Sequence, residues 1–230
     1  MAIGGIVNTA RSLAYLQRLQ EVTANNIANA SSDAFKADRL LAWLPPGQAA
    51  PVPVRALDLH QGLVRDTGRP LDLALDGDGF LVVQTPRGER LTRGGSLHLD
   101  PAGRLVDGHG DPLLGADGPI VVQGSRVEVE ADGTVRVDGA PAGRLRLETV
   151  DRPADLLKEG EGRFIPPAAT RPVEAGRIRV RQGAIEDANV DPLVAMVDLV
   201  TIQRAYAANL DALRAMDSVL ATVAAEVGRV

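Results

Sequence analysis

The sequence predicts an α+β protein that is mainly β, with a central β-sandwich or irregular barrel between N- and C-terminal helices that pair as a coiled coil. Apolar residues recur at three- and four-residue steps near both ends of the 230-residue chain, which indicates two amphipathic helices. Between them, short apolar runs alternate with Asp-Gly and other Gly-rich turns, as in antiparallel β domains. Hydrophobic residues make up 45% of the chain and aromatic residues only 3%, so the predicted core is aliphatic.

The N-terminal helix is predicted over residues 1–36. One apolar stripe supports it, formed by Ile3, Ile6, Val7, Ala10, Leu13, Ala14 and Leu16. The stripe thins after Leu19 and is followed by Asn25, Asn26 and Asn29. Asparagine is a poor helix former because its side chain competes for backbone hydrogen bonds. The presence of three asparagines in a predicted helix therefore requires an explanation.

Residues 37–59 are rich in proline and alanine and are predicted to be a connector, with Trp43 as a local anchor. The β domain is predicted over residues 60–183. Leu71, Leu73 and Leu75 alternate before an Asp-Gly-Asp-Gly turn, as one buried strand face requires.

A hairpin is predicted within "VEVEADGTVRV". Val127 and Val129 should face Val135 and Val137 across an Ala-Asp-Gly loop. Arg136 is then expected opposite Glu128 or Glu130 on the exposed face. "SLHLDPAGRLV" repeats the pattern, and "GRLRLETV" and "GRIRVRQG" add two further strands.

The C-terminal helix is predicted within residues 184–230. Asp191 is suited to cap it, and Pro192 suits its first position. Steps of four and three residues alternate without a break through Ala195, Leu199, Ile202, Tyr206, Asn209, Leu213, Met216, Leu220, Val223 and Val227. Such a seam is typical of a coiled coil about 50–55 Å long, whose partner would be the N-terminal helix. An ordinary amphipathic helix on a globular core is the alternative.

The composition argues against several classes of function. The net charge of −5 leaves no basic surface typical of nucleic-acid binding. The chain has no cysteine, which excludes disulfides, thiol catalysis and zinc–thiolate sites. No stretch approaches 18 consecutive apolar residues, so no membrane insertion is expected, and "MAIGGIVNTARSLAYLQ" lacks the pattern of a cleaved signal peptide.

No catalytic, metal-binding or cofactor-binding constellation is predicted. His60, His98 and His109 lie far apart in the sequence. Asp72, Asp76 and Asp78 form an acidic cluster, but Asp-Gly pairs are the usual residues of tight turns, so we interpret the cluster as a turn. A calcium- or sugar-binding site at these carboxylates is the alternative.

Three blocks resemble the signatures of flagellar axial proteins, the rod and hook family. They are "VTANNIANASSDAFKA" near the start, "GRPLDLALDGDGFLVVQTPRGERLTRGGSLHLDPAGRLV" in the middle, and "QGAIEDANVDPLVAMVDLVTIQRAYAAN" near the end. They stand in the family's order and cover well over half of the chain. The central block is most similar to the proximal-rod member and next to the distal-rod member.

The resemblance implies a structural subunit without enzymatic activity or cofactor. It implies export through the flagellar type III channel without a cleaved signal, and helical stacking into the basal-body rod, which carries torque through the periplasm. The implied partners are other copies of the chain, other rod subunits and the export apparatus. A distal-rod or hook-like paralogue, a secreted sugar- or calcium-binding β module, and an intracellular coiled-coil oligomer are the alternatives.

Within that reading the terminal helices supply the subunit contacts and gain most of their order on assembly. The asparagines become side chains that bond across an interface and fix its register. The predicted interface residues are Ile3, Ile6, Ala10, Leu13, Asn25, Asn26, Asn29, Phe35, Leu199, Ile202, Tyr206, Asn209, Leu213, Met216, Leu220 and Val223.

Three positions depart from the family pattern. Ala34 stands where the family usually has glycine, so the turn after the first helix is expected to differ, and Ala30 fills the place of a valine. Gly94 stands where an acidic residue or asparagine is frequent. The basic residues Arg11, Arg18, Lys36 and Arg39 are expected to be solvated.

Overall fold

The computed structural model describes residues 2–44, 46, 51–167, 170–174 and 176–227, and the side chains of these residues except 2, 3, 154 and 223–227. Helix α1 spans Ala2–Ala28 and helix α2 spans Pro192–Val227. A short 3₁₀ turn covers Pro153–Asp155. Strands account for most other regular structure, so the predicted α+β class with a mainly β middle is confirmed.

Twenty strands lie in the described part of the chain: β1 (Asp38–Trp43), β2 (Val52–Leu57), β3 (Val64–Asp66), β4 (Asp72–Asp76), β5 (Phe80–Thr85), β6 (Gly88–Thr92), β7 (Gly94–Ser96), β8 (His98–Leu99), β9 (Leu105–Val106), β10 (Leu114–Gly115), β11 (Gly118–Pro119), β12 (Val127–Val129), β13 (Thr134–Val137), β14 (Ala140–Arg144), β15 (Leu147–Val150), β16 (Leu157–Gly160), β17 (Arg163–Ile165), β18 (Thr170–Pro172), β19 (Arg179–Gln182) and β20 (Ala184–Glu186). The segment predicted as a connector, 37–59, thus contains β1 and β2. The four-segment division of the chain otherwise stays a prediction.

The largest sheet has six strands in the order β16-β17-β6-β5-β15-β18. Sheets of three strands are formed by β12-β13-β14 and by β19-β4-β7, and the other strands pair in twos. None of these sheets closes into a barrel among the described residues, so the predicted sandwich or irregular barrel stays a prediction.

Strand β5 lies at the centre of the packing because all of its first four residues are apolar. Leu81 and Val83 belong to one buried cluster with Leu73, whereas Phe80 and Val82 belong to a second cluster with Phe164. Alternate side chains point to opposite faces of a strand, so the run Phe80–Val83 fills both cores.

The predicted hairpin at residues 127–137 is confirmed. Val127 pairs with Val137 and Val129 pairs with Val135 in the antiparallel register of β12 and β13. Asp132 closes the loop by accepting a hydrogen bond from the backbone N–H of Thr134 at 2.9 Å. Such a side-chain bond to the backbone two residues on is the reason why aspartate favours turns.

Gly94 shows why this chain uses glycine at that place. Its φ is +111°, a region that side chains rarely adopt, and a Cβ atom there would lie 2.3 Å from the carbonyl oxygen of Leu73. The close approach follows from the pairing of β7 with β4.

The chain divides into two compact units. The first comprises the described parts of Met1–Ala28, Asp38–Ala56 and Asp191–Val230, and so contains both helices and the β1-β2 pair. The second comprises Asn29–Ala37 and Leu57–Val190. We call them the helical unit and the β unit.

Candidate subunit interface

Within the helical unit, α1 and α2 contact each other. A Cβ atom on Gly5 would lie 3.7 Å from Met216 Sδ, so the first turn of α1 lies beside the last third of α2. Ile202, in the first third of α2, is buried.

The start of α2 follows the predicted signal. Asp191 Oδ1 accepts hydrogen bonds from the backbone N–H groups of Leu193 at 2.9 Å and Val194 at 3.1 Å. These are two of the N–H groups that have no intrahelical partner at the start of a helix. Pro192, at the first helical position, has no N–H that would need a partner.

The predicted seam of α2 is its less exposed side. Ala195, Leu199, Tyr206, Asn209 and Leu213 are half-buried, and Ile202 is buried. Met216 and Leu220 are each 37% exposed. On α1, Ile6 and Leu13 are half-buried and Ala10 is exposed. The side chains of Ile3 and Val223 lie outside the described residues. The assignment of these residues to subunit contacts stays a prediction.

The asparagines of the first signature differ in their hydrogen-bond partners and exposure. Asn26 Nδ2 donates to the backbone oxygen of Asp38 at 2.8 Å, and Asn26 Oδ1 accepts from the Asp38 N–H at 2.9 Å. This pair of bonds fixes the start of β1 beside α1. Asn25 is exposed on another side of the helix. Asn209 donates to the backbone oxygen of Ala205 in its own helix at 2.8 Å.

The turn after α1, in the β unit, contains Ala34 and Phe35. Ala34 has a φ of 55°, so alanine adopts the left-handed conformation that the family's glycine would favour. Its N–H donates to the Glu186 backbone oxygen at 2.6 Å. Asn29 lies at the beginning of this turn, where its carbonyl oxygen accepts from the Ser32 N–H at 3.0 Å. The expectation of a different turn conformation here stays untested.

Phe35 is a buried residue of the β unit. Its ring lies under the Lys158 ammonium, with Nζ 4.1 Å from the ring centroid, and its carbonyl oxygen accepts from the Asn189 N–H at 3.2 Å. Both contacts are made within one chain.

The expectation that Lys36 is solvated is wrong. The Lys36 and Glu186 side chains are fully buried, with Nζ and Oε1 separated by 2.5 Å, and Nζ also donates to the His60 carbonyl oxygen at 2.7 Å. Glu186 accepts the N–H of Gly62 at 2.9 Å through Oε1 and the Nε–H of Arg93 at 3.0 Å through Oε2. Lys36 tolerates burial because this carboxylate faces it.

Arg93 completes the ion triad Lys36–Glu186–Arg93. Its Nη1 donates to the carbonyl oxygens of Gly77 at 2.7 Å and Gly79 at 2.6 Å. The triad carries two positive charges and one negative charge. Burial lowers the pKa of Lys36 below its ordinary value, and the hydrogen bond to Glu186 offsets only part of this effect.

Two family models match the chain. "Flagellar hook protein FlgE/F/G D1 domain" matches residues 74–137, and "Flagellar basal body rod FlgEFG protein C-terminal" matches residues 181–226. Flagellar basal-body rod protein FlgF of Escherichia coli is 33% identical over 86% of this chain and 88% of its own length. The chain belongs to the flagellar basal-body rod protein family.

Two further relatives place this rod protein within the family. FlgF of Caulobacter vibrioides is 33% identical over 83% of this chain and 84% of its own length. Flagellar basal-body rod protein FlgG of Bacillus subtilis is 27% identical over 87% of this chain and 90% of its own length. The rod protein is thus more similar to these FlgF proteins, the proximal-rod member, as its central block indicated. Its relatives are structural proteins rather than enzymes.

The ion triad links the three blocks that carry the family resemblance. Lys36 belongs to the first block, Arg93 to the central block and Glu186 to the last. The roles of Arg93 and Glu186 in the rod protein were not predicted from the sequence. Each block contains charged residues of both signs, so nothing in the sequence shows that these three side chains meet.

The acidic cluster of the rod protein is only partly exposed. Asp72 is buried and accepts hydrogen bonds from Thr67 Oγ1 at 2.6 Å, Arg69 Nε at 2.8 Å and Ser96 Oγ at 3.0 Å. Burial alone would raise its pKa, but these bonds outweigh burial and lower the pKa of Asp72. The Asp72 carboxylate is therefore hydrogen-bonded by side chains of its own chain. Groups of three or more metal-ligating side chains are absent from the described residues.

A helix long and apolar enough to cross a membrane is likewise not found in the part of the rod protein that the structure describes.

Proposed function

We propose that this rod protein assembles helically through its two terminal helices and transmits torque across the periplasm. It would reach the rod through the flagellar type III export system without a cleaved signal peptide. Its partners would be further copies of itself, other rod subunits and the export apparatus. A subunit contact that repeats head to tail without closing generates such a filament.

The observation that carries the proposal is the exposed apolar surface of α2. Leu193 is 72% exposed, Val197 60% and Val200 47%, although each is a large apolar residue. Exposed apolar clusters of this kind mark interaction sites in soluble proteins. The family membership supplies the partners that would cover them.

The finer architecture is part of the proposal. The two helices would form a coiled coil along the seam of α2, and the β sheets would form a sandwich or irregular barrel around the two buried clusters. Met216 and Leu220 of the seam, and Ala10 and Asn25 of α1, are exposed and would contact neighbouring subunits. The helices would gain burial, and with it stability, on incorporation.

Complementation of a deletion strain tests the proposal. The full chain should restore swimming, whereas a chain without residues 1–30 and 190–230 should fold as a monomeric β unit and leave the cells non-motile. Full-length Glu130→Ala, at an exposed ion pair with Arg136, is the control and should restore swimming. Swimming by cells that carry the truncated chain would contradict a role for the helices in assembly.

A further inference from the structure

The first and last segments of the β unit lie side by side. The Ala34 N–H donates to the Glu186 carbonyl oxygen at 2.6 Å, and the Asn189 N–H donates to the Phe35 carbonyl oxygen at 3.2 Å. Each segment thus donates a backbone hydrogen bond to the other, although Lys36 and Glu186 are 150 residues apart. We call residues 34–37 the N-segment and residues 186–189 the C-segment.

The Asn189 side chain joins the N-segment to a third part of the chain. Its Oδ1 accepts the Ala37 N–H at 2.7 Å, and its Nδ2 donates to the carbonyl oxygens of Asp58 at 2.8 Å and His60 at 3.0 Å. The Ala37 carbonyl oxygen in turn accepts the Asp58 N–H at 2.8 Å. One amide of the C-segment therefore bonds three backbone groups, and an aliphatic side chain in its place would leave all three without this partner.

Both lysines of the chain lie at the N-segment. The sequence contains Lys36 and Lys158 and no other lysine. The Lys36 side chain is fully buried against Glu186, and the buried Lys158 Nζ lies 4.1 Å from the centroid of the Phe35 ring. Since Lys36 and Phe35 both belong to the N-segment, displacement of this segment would uncover both amines.

The N-segment has no favourable docked state without the C-segment. Glu186 supplies the anion that Lys36 and Arg93 share, and burial of cations without a counter-charge is strongly unfavourable. The N–H groups of Ala34 and Ala37 would lose their acceptors as well. The two apolar clusters of the β unit are built from residues outside both segments, so these clusters do not depend on the docking.

We infer that the two segments dock on the β unit together, as one cooperative closure that opens separately from the rest of the unit. During synthesis Glu186 follows Lys36 by 150 residues, so the N-segment stays undocked until nearly the whole β unit has been made. The inference concerns the folding of one chain and goes beyond the proposed function, since it holds for any route by which the chain reaches the rod.

Amine acetylation of the full chain, read by mass spectrometry, tests this inference because the two lysines report on the open N-segment. The rate at each lysine would be compared with its rate in the urea-unfolded chain. Asn189→Ala should raise the acetylation rates of Lys36 and Lys158 in parallel, by about ten-fold or more, since the loss of three hydrogen bonds favours the open form.

Two control variants separate this opening from other effects. Asn209→Ala makes the same substitution at an asparagine whose amide donates within its own helix. Leu113→Ala removes a fully buried side chain from the first apolar cluster, so it destabilises the β unit as a whole. Both should leave the acetylation rates within about two-fold of those of the parent chain. Rates that rise as much with Leu113→Ala as with Asn189→Ala would overturn the inference, because the opening would then be global unfolding.

Hydrogen exchange of the parent chain gives a readout that requires no variant. The Ala34 N–H bonds to Glu186, whereas the Ala37 N–H bonds to Asn189. If the segments open together, both N–H groups should show the same opening free energy and the same urea dependence as the acetylation of Lys36. The N–H groups of β5 should show a steeper urea dependence, because their exposure requires unfolding of a larger part of the chain.

The outcomes decide between cooperative and independent docking. Parallel increases at Ala34, Ala37 and both lysines in Asn189→Ala, with β5 still protected, would support the inference. An increase at the Ala37 N–H alone, with Ala34 and both lysines still protected, would overturn it. Different urea dependences of the Ala34 and Ala37 N–H groups in the parent chain would overturn it as well, since the segments would then open one bond at a time.

Discussion

Replacing Glu186 with alanine should destabilise the β unit strongly. The carboxylate is fully buried and lies 2.5 Å from Lys36 Nζ, while its other oxygen accepts from Arg93. The substitution leaves two buried cations without their shared anion and the Gly62 N–H without its acceptor. Breaking a buried ion pair by removing one partner costs roughly 3–5 kcal/mol.

Thermal unfolding and urea titration followed by circular dichroism would measure this loss. For a chain of this size 1 kcal/mol shifts Tm by about 2–4 °C, so Glu186→Ala should lower Tm by roughly 6–20 °C. Lys36→Met keeps the Glu186–Arg93 pair and should cost less. The control Glu130→Ala removes an exposed pair with Arg136 and should cost about 0–1 kcal/mol.

A free energy of unfolding of Glu186→Ala within about 1 kcal/mol of that of the Glu130→Ala control would contradict this prediction. That result would mean that the buried cations find other partners or water at little cost. A cost of Lys36→Met equal to that of Glu186→Ala would contradict the charge argument separately, because Lys36→Met leaves a balanced pair.

Three further predictions concern the β unit. Ala34→Val should cost roughly 2–4 kcal/mol in urea titration, since Ala34 is buried at a φ of 55° and a branched side chain adds strain and crowding. Gly94→Ala should cost more than about 2 kcal/mol by the same measurement, because its Cβ would lie 2.3 Å from the Leu73 oxygen at a φ of +111°. Asp72→Asn should lose less stability than the parent chain does as the pH falls. The pKa of Asp72 is lower in the folded chain than its ordinary 3.8, so the unfolded chain binds more protons as the pH falls below that value, and the stabilisation is lost as the pH falls through the folded pKa.

Matched variants make these predictions refutable. Ala24→Val, on the exposed side of α1, should cost well under 1 kcal/mol. A Cβ atom at Gly110 would have no other atom within 4 Å, so Gly110→Ala should lose only the stability that corresponds to backbone strain at a φ of +87°. Equal costs at Gly94 and Gly110 would refute the close-contact argument. Asp66→Asn, at an exposed pair with Arg181, should leave the acid profile unchanged, and a profile of Asp72→Asn that matches it would refute the role of Asp72.

Local signals predicted local structure well. Asp191 and Pro192 gave the start of α2, and the alternating valines gave the β12-β13 register, because capping and strand pairing depend on residues close together in the sequence. The end of α1 was predicted less accurately. The helix stops at Ala28, and the following residues turn into the β unit, where the Ala34 N–H donates to the Glu186 backbone.

Contacts between distant segments were not predictable from one sequence. Lys36 is 150 residues from Glu186, and only the fold brings them within hydrogen-bond distance. A lysine in a polar stretch has the same local pattern whether it is solvated or buried against a carboxylate. The stripe of α1 shows the same limit, since Ile6 is half-buried while Val7 and Ala10 are exposed.

The composition of purified basal bodies tests the central claim most directly. Rods from the deletion strain complemented with an epitope-tagged chain would be freed of membrane and examined by mass spectrometry and immunogold electron microscopy. A structural rod subunit should appear as an intact chain of 24.2 kDa plus the tag, with gold particles on the rod. Complete, functional rods that lack the chain would contradict the account.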